Sequence, residues 1–99
     1  MNTDALESRW LRANPQQTSV TNAGEAIILD PVANRYYSLD GVGEVVWSGL
    51  QQPARIDDLV TAVTDAFDVS RDEARKDVRD LVGDLLSAGL VVFAEPPAA

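Results

Sequence analysis

The stretch from Leu29 to Trp47, LDPVANRYYSLDGVGEVVW, decides the fold. It opens on the end of a short apolar strand, Glu25 to Asp30 (EAIILD). Pro31-Val32-Ala33-Asn34 then makes a turn, in which Asn34 is the residue best suited to the left-handed backbone region. The chain returns as a second strand, Arg35 to Leu39 (RYYSL), whose alternation puts Tyr37 and Leu39 on one face and Tyr36 and Ser38 on the other. Asp40 is placed to cap a helix over Gly41 to Leu50, which Gln51-Gln52-Pro53 ends. Strand, tight turn, strand and helix in so few residues imply an antiparallel sheet feeding a helical half.

Upstream, Gln17 to Asn22 (QTSVTN) has the β-branched and small polar composition of a strand, and Asn22-Ala23-Gly24 is its turn. Three strands in a meander are expected, with Arg35 to Leu39 as an unpaired edge. Downstream, Ile56, Leu59, Val60, Val63 and Phe67 repeat on one helical face, defining a second helix over Ile56 to Phe67 with a weak cap at Arg55. Ser70 and Glu73 form a capping box for a third helix. Its stripe is Ala74, Val78, Leu81, Val82, Leu85 and Leu86, and Gly89 is its stop. Leu90 to Phe93 reads as a short closing strand. The fold class is α+β: a three-stranded antiparallel sheet followed by a three-helix winged helix-turn-helix. A loosely ordered arm over residues 1–15 is expected, in which Leu6 and Trp10 stand four apart. One folded domain follows over residues 16–94, and a disordered tail over residues 95–99.

Ninety-nine residues make one domain. There is no cysteine, so neither a disulfide nor a thiolate nucleophile, and no histidine, the commonest general base and metal ligand. With one lysine besides, catalysis has little to work with and no cofactor or metal is expected. No apolar run approaches the ~20 residues of a membrane span, and MNTDALESRW lacks a basic stretch followed by an apolar one, so a cytoplasmic location without membrane attachment is expected. Sixteen acidic against eight basic residues give a net charge of −8, a field that repels nucleic acid at long range.

The candidate functional surface is the edge strand with the third helix beside it. A free edge can capture an extended peptide as an added strand, backbone bonds supplying affinity and side-chain pockets specificity. On the helix, Leu81 and Leu85 are expected in the core, and Val78 and Val82 either there or lining a groove. Arg71, Arg75 and Arg79 share a face at i, i+4, i+8 and, with Lys76, hold half the positive charge. That stripe is either a solvated face neutralised by Asp72, Asp77 and Asp80, or a receptor for carboxylates on a peptide. Asp57 and Asp58 diverge by ~100° on their helix, which rules out a shared metal and leaves them the positive helix end. Trp47, Val46 and Leu50 are expected in the core.

The ordered set of features over Leu29 to Trp47 resembles the PqqD-like family: an apolar strand ending in Leu-Asp, a turn, a Tyr-Tyr-x-Leu-Asp strand, and a helix ending in Val-Trp. The likeness continues through Pro53-x-x-Ile56-Asp57-Asp58-Leu59 and the spacing of Asp77, Val78, Leu81, Leu85, Gly89 and Leu90, covering about residues 17–93. Asn34 stands where glycine is usual, and Asp40 where asparagine is. The resemblance implies a recognition element for ribosomally made, post-translationally modified peptides, which holds the precursor's leader as a further strand and presents the core peptide to another enzyme. Carried over by position, the peptide-binding residues are Arg35, Tyr36, Tyr37, Ser38, Leu39, Arg75, Val78, Arg79 and Val82. The implied partners are the leader and either a leader protease, as in lasso-peptide pathways, or a radical-SAM enzyme, as in pyrroloquinoline-quinone or mycofactocin pathways. A monomer or weak dimer is expected.

Two other readings share the outline. A winged-helix DNA-binding regulator would need a basic recognition helix, whereas Asp72, Glu73, Asp77, Asp80 and Asp84 make the third helix negative overall. A structural adaptor would dock on a larger enzyme without touching its substrate.

Overall fold

Asn22 and Glu25 face each other across a two-residue turn in which both Ala23 (φ 56°) and Gly24 (φ 80°) have positive φ. This is the backbone signature of the hairpin turn whose twist matches its strands. A computed structural model describes residues 6–97; the parts of the expected arm and tail at residues 1–5 and 98–99 lie outside the described residues. The turn joins β2 (Thr18–Asn22) to β3 (Glu25–Asp30). A four-residue loop then leads from Asp30 to its cross-strand partner Arg35 at the start of β4 (Arg35–Asp40). The Asp30 carboxylate fixes that loop, its Oδ1 accepting from the backbone N–H of Val32 (3.1 Å) and Ala33 (3.2 Å), while Asn34 takes the left-handed conformation expected of it. The sheet order is β2-β3-β4, antiparallel throughout.

Ala23 carries a Cβ in a conformation that disfavours one. Replacing it with Asn, the residue this turn prefers, is expected to raise unfolding stability by about 1 kcal/mol, read from the midpoint of urea denaturation at unchanged slope.

Three helices follow: α1 (Val42–Gly49), α2 (Ile56–Ala66) and α3 (Arg71–Ser87). The expected α1 cap is corrected. Asp40 is the last residue of β4, and the N-cap is Gly41, whose φ of 54° and ψ of −126° suit only a residue without a side chain. Asp58 reinforces the weak start of α2 by accepting from the Arg55 N–H at 3.0 Å. Ser70 caps α3 through its Oγ, which accepts from the Glu73 N–H at 3.2 Å. Phe67 leaves the stripe expected of α2: it follows the last helical residue in an extended conformation and is exposed.

The arm departs furthest from expectation. From Trp10 it is strand, not loose chain: β1 (Trp10–Ala13) pairs antiparallel with β5 (Val91–Ala94), Leu11 opposite Phe93. Leu11 also exchanges backbone hydrogen bonds with Ala54 (2.8 and 2.9 Å), and the Ala13 N–H donates to the Leu50 carbonyl. The Arg9 guanidinium lies 4.0 Å from the Phe93 ring centroid, and that of Arg55 4.9 Å from Trp10. Leu11 is wholly buried, joining Trp47, Ile28, Leu50, Ile56 and Leu59 in one core. Trp47 sits there with its indole N–H donating to Ser19 Oγ at 3.0 Å, so the buried indole keeps its one polar group paired.

Candidate functional site

Among the described residues β4 is an edge: its only strand neighbour is β3, and no backbone group outside the sheet bonds its far side. Alternation divides its side chains as expected. Tyr36 points away from the core, 71% exposed, and exposed Ser38 donates its hydroxyl to Glu25 Oε2 across the sheet at 2.6 Å. Tyr37 and Leu39 point inward, half-buried, and pack on the core, as does Val42 at the start of α1. Gly43 permits a close approach there, since a Cβ at that position would lie 3.2 Å from that of Leu39. Arg35 is exposed at the first residue of the strand. The result is a line of free backbone donors and acceptors bordered on its inner side by partly exposed apolar surface.

β2 is the other edge of this sheet, but its inward residues are Ser19, engaged by Trp47, and Thr21. Neither offers an apolar foothold. The two edges thus differ in what they present to an incoming strand, and only β4 combines backbone valence with a hydrophobic border.

The helical half of the expected site is rearranged. Val78 and Val82 have no exposed surface; they belong to the core rather than to a groove. The buried row of α3 is Ala74, Val78, Val82 and Leu85, because that face is centred on its contacts with α2 and β5. Leu81, expected in the core, is rotated to the border and is half-buried.

Arg75 and Arg79 are half-buried and both face carboxylates. Arg75 donates to Glu7 Oε1 at 2.5 Å and to Asp57 Oδ1 at 2.7 Å. Arg71 reaches the same Asp57 oxygen at 2.9 Å and Thr61 Oγ1 at 3.1 Å. Arg79 Nε lies 3.7 Å from Glu7 Oε2, near enough for charge attraction but too far for a hydrogen bond. The Arg75 hydrogen bond, then that of Arg71, holds the Asp57 carboxyl below the usual carboxylate range; Asp57 in turn raises the already high pKa of Arg75. The stripe is neutralised by carboxylates from α2 and from the helical turn at Leu6 and Glu7, not by its own Asp72, Asp77 and Asp80. Only Lys76 keeps to the expected pattern, 3.7 Å from Asp80.

Sequence reasoning missed Glu7 and misplaced Leu81 together with Val78 and Val82. Nothing local marks Glu7, since its partner lies 68 positions away. Leu81 was within reach of a finer reading of the helix, because it stands at one end of the apolar arc while Val78 and Val82 occupy its middle.

A three-stranded meander with one apolar-bordered free edge, followed by three helices, defines a small domain of α+β class. The chain belongs to the PqqD family, described as coenzyme PQQ synthesis protein D, which matches residues 25–91. The resemblance drawn from the sequence is therefore borne out. Among solved structures, the chain is similar to one described as TbiB1 in complex with the TbiA(beta) leader peptide: 26% identity, TM-score 0.75, covering 89% of this chain and 99% of that one. It is also similar in fold to a lasso peptide synthetase B1 complexed with the leader peptide, at 21% identity and TM-score 0.72, covering 83% and 96% of the two chains. None of the curated proteins matches the sequence.

Proposed function

We propose that this protein binds the leader of a ribosomally made precursor peptide as an added strand on β4 and presents the core peptide to a separate modifying enzyme or leader protease, in a lasso-type pathway. The observation that carries the reading is the free β4 edge with Tyr37 and Leu39 half-buried along it. Family membership and the likeness to leader-complexed chains support it. Arg35 to Leu39 form the strand side of the site. Tyr37 and Leu39 offer partly exposed apolar surface to the added strand, and Tyr36 and Ser38 face outward, where a docked enzyme can read them.

The module itself performs no chemistry. Without histidine or cysteine it acts by tethering: a bound leader raises the concentration of the core peptide at a docked enzyme, and the acceleration depends on linker length rather than on any group of this chain. A handful of backbone hydrogen bonds at ~0.5–1.5 kcal/mol each gives modest affinity, which burial of one or two apolar leader side chains brings into the micromolar range.

The test is direct. A short open reading frame beside the gene supplies a candidate leader, made as a labelled peptide and titrated by fluorescence polarisation. Saturable binding at micromolar Kd or tighter is expected. Failure of every neighbouring leader to bind, together with tight DNA binding at low salt, would move the assignment to a winged-helix regulator.

A further inference from the structure

Four of the eight basic residues, Arg71, Arg75, Lys76 and Arg79, are paired with carboxylates, and all four stand on α3. The other four, Arg9, Arg12, Arg35 and Arg55, form no ion pair among the described residues, although the chain carries sixteen acidic side chains. Three of these unpaired arginines gather at the sheet of β1 and β5. That sheet turns Leu11, Ala13 and Val91 to the core and Trp10, Arg12, Val92 and Ala94, all half-buried, outward. Arg55 covers the Trp10 ring at 4.9 Å; on the other side Phe93 is 45% exposed, with Arg9 at 4.0 Å from its ring centroid. The Arg12 Nε is covered by protein and has no acceptor among the described residues, an uncommon state for a buried donor.

We infer that the outward face of this second sheet docks a partner protein, whose carboxylates meet Arg12 and Arg55 around an apolar side chain resting on Trp10 and Val92. The inference rests on the presenting role proposed above and says where the modifying enzyme or leader protease holds the module. Tryptophan and arginine are the residue types that dominate binding energy at protein interfaces. A guanidinium stacked on a ring keeps its in-plane N–H donors for a carboxylate, and the stacking holds it ready. The charge argument selects the kind of partner. Local arginines act over about a Debye length, ~8–10 Å, so they reward a few carboxylates at contact. The net charge of −8 still repels a polyanion or a second copy of this chain at long range. Docking here leaves the leader edge clear, because β1 and β5 form a sheet apart from that of β4.

The test immobilises the modifying enzyme or leader protease encoded beside the gene and titrates it with the full chain. Arg55→Glu is expected to weaken docking at least ~10-fold and Arg55→Ala roughly 3- to 10-fold, with leader affinity within about twofold for both. Arg55 is exposed at the N-cap of α2, where a glutamate suits the positive helix end, and a thermal melt checks the fold. Lys76→Glu makes the same charge change at an exposed position on α3 and should leave docking within about twofold.

Equal losses in Arg55→Glu and Lys76→Glu, full docking by Arg55→Glu, or no docking by the unmodified chain would overturn the inference while leaving leader binding at β4 intact. Self-association in sedimentation, or DNA binding at low salt, that Arg55→Glu abolishes would reassign the face to a second copy or to nucleic acid. A leader that fails to bind, with docking still lost in Arg55→Glu, would remove the presenting role and keep the interface.

Discussion

Proline at Tyr37 and proline at Ser38 are expected to fail in two different ways. In an antiparallel strand a residue's N–H and C=O point to the same side, and neighbouring residues point to opposite sides. One of these two residues therefore bonds β3, while the other offers its groups to the free edge. Proline on the ladder side deletes a sheet hydrogen bond and should cost about 3 kcal/mol of stability. Proline on the outer side removes a donor that nothing in the protein uses, so the fold should survive with a small change in melting temperature. Leader binding should fall at least ~10-fold there, because the added strand loses a hydrogen bond and meets a ring where it must approach closely. Tyr37→Ala and Ser38→Ala correct for the lost side chains. The readout is a pair of measurements, a thermal melt and a fluorescence-polarisation titration, and the expected pattern is a crossover. Should the variant that keeps its fold also keep its affinity, the leader does not add to β4, and the edge at β2 becomes the next candidate.

Much of this arrangement was legible in the sequence because its determinants are local. Asn34 and Gly24 announce their turns by tolerating positive φ, Tyr36 and Tyr37 sort themselves by strand alternation, and Ser70 with Glu73 marks the start of α3 within four residues. What the sequence hides is what depends on partners far along the chain. β1 is four residues, WLRA, too short for periodicity to speak, and it is a strand because β5 and Ala54 lie on either side of it. Arg75 looks free because Asp57 and Glu7 are 18 and 68 positions away. The exchange of roles between Leu81 and the two valines has the same origin. Periodicity identifies the apolar arc of α3, but the packing of α2 and β5 decides which part of the arc is its centre.

The same contrast makes Leu11 the most sensitive position in the arm. Leu11→Ala is expected to cost about 2–5 kcal/mol, the range for truncating a wholly buried leucine, out of the roughly 5–15 kcal/mol that stabilises a domain. For a chain of this length that is a fall in Tm of about 10–30 °C. The site explains the size: Leu11 is covered by β5 on one side, its backbone is tied to Ala54 on the other, and its side chain enters the core that also holds Trp47 and Leu50. Glu7→Gln, by contrast, weakens partly exposed ion pairs and should cost no more than about 1 kcal/mol. If Leu11→Ala melts within a few degrees of the unmodified protein, the first strand is dispensable and the arm is as loose as its sequence suggests. If the expected gap between the two variants appears, the N-terminal segment is held by apolar burial, with the charges on α3 only orienting it. Leader affinity then provides the functional check. The strand proposed to bind the leader, β4, belongs to the three-stranded sheet, whereas β1 pairs with β5 in a separate two-stranded one. Near-normal affinity is therefore expected for Leu11→Ala at temperatures where it remains folded, even though it melts far earlier.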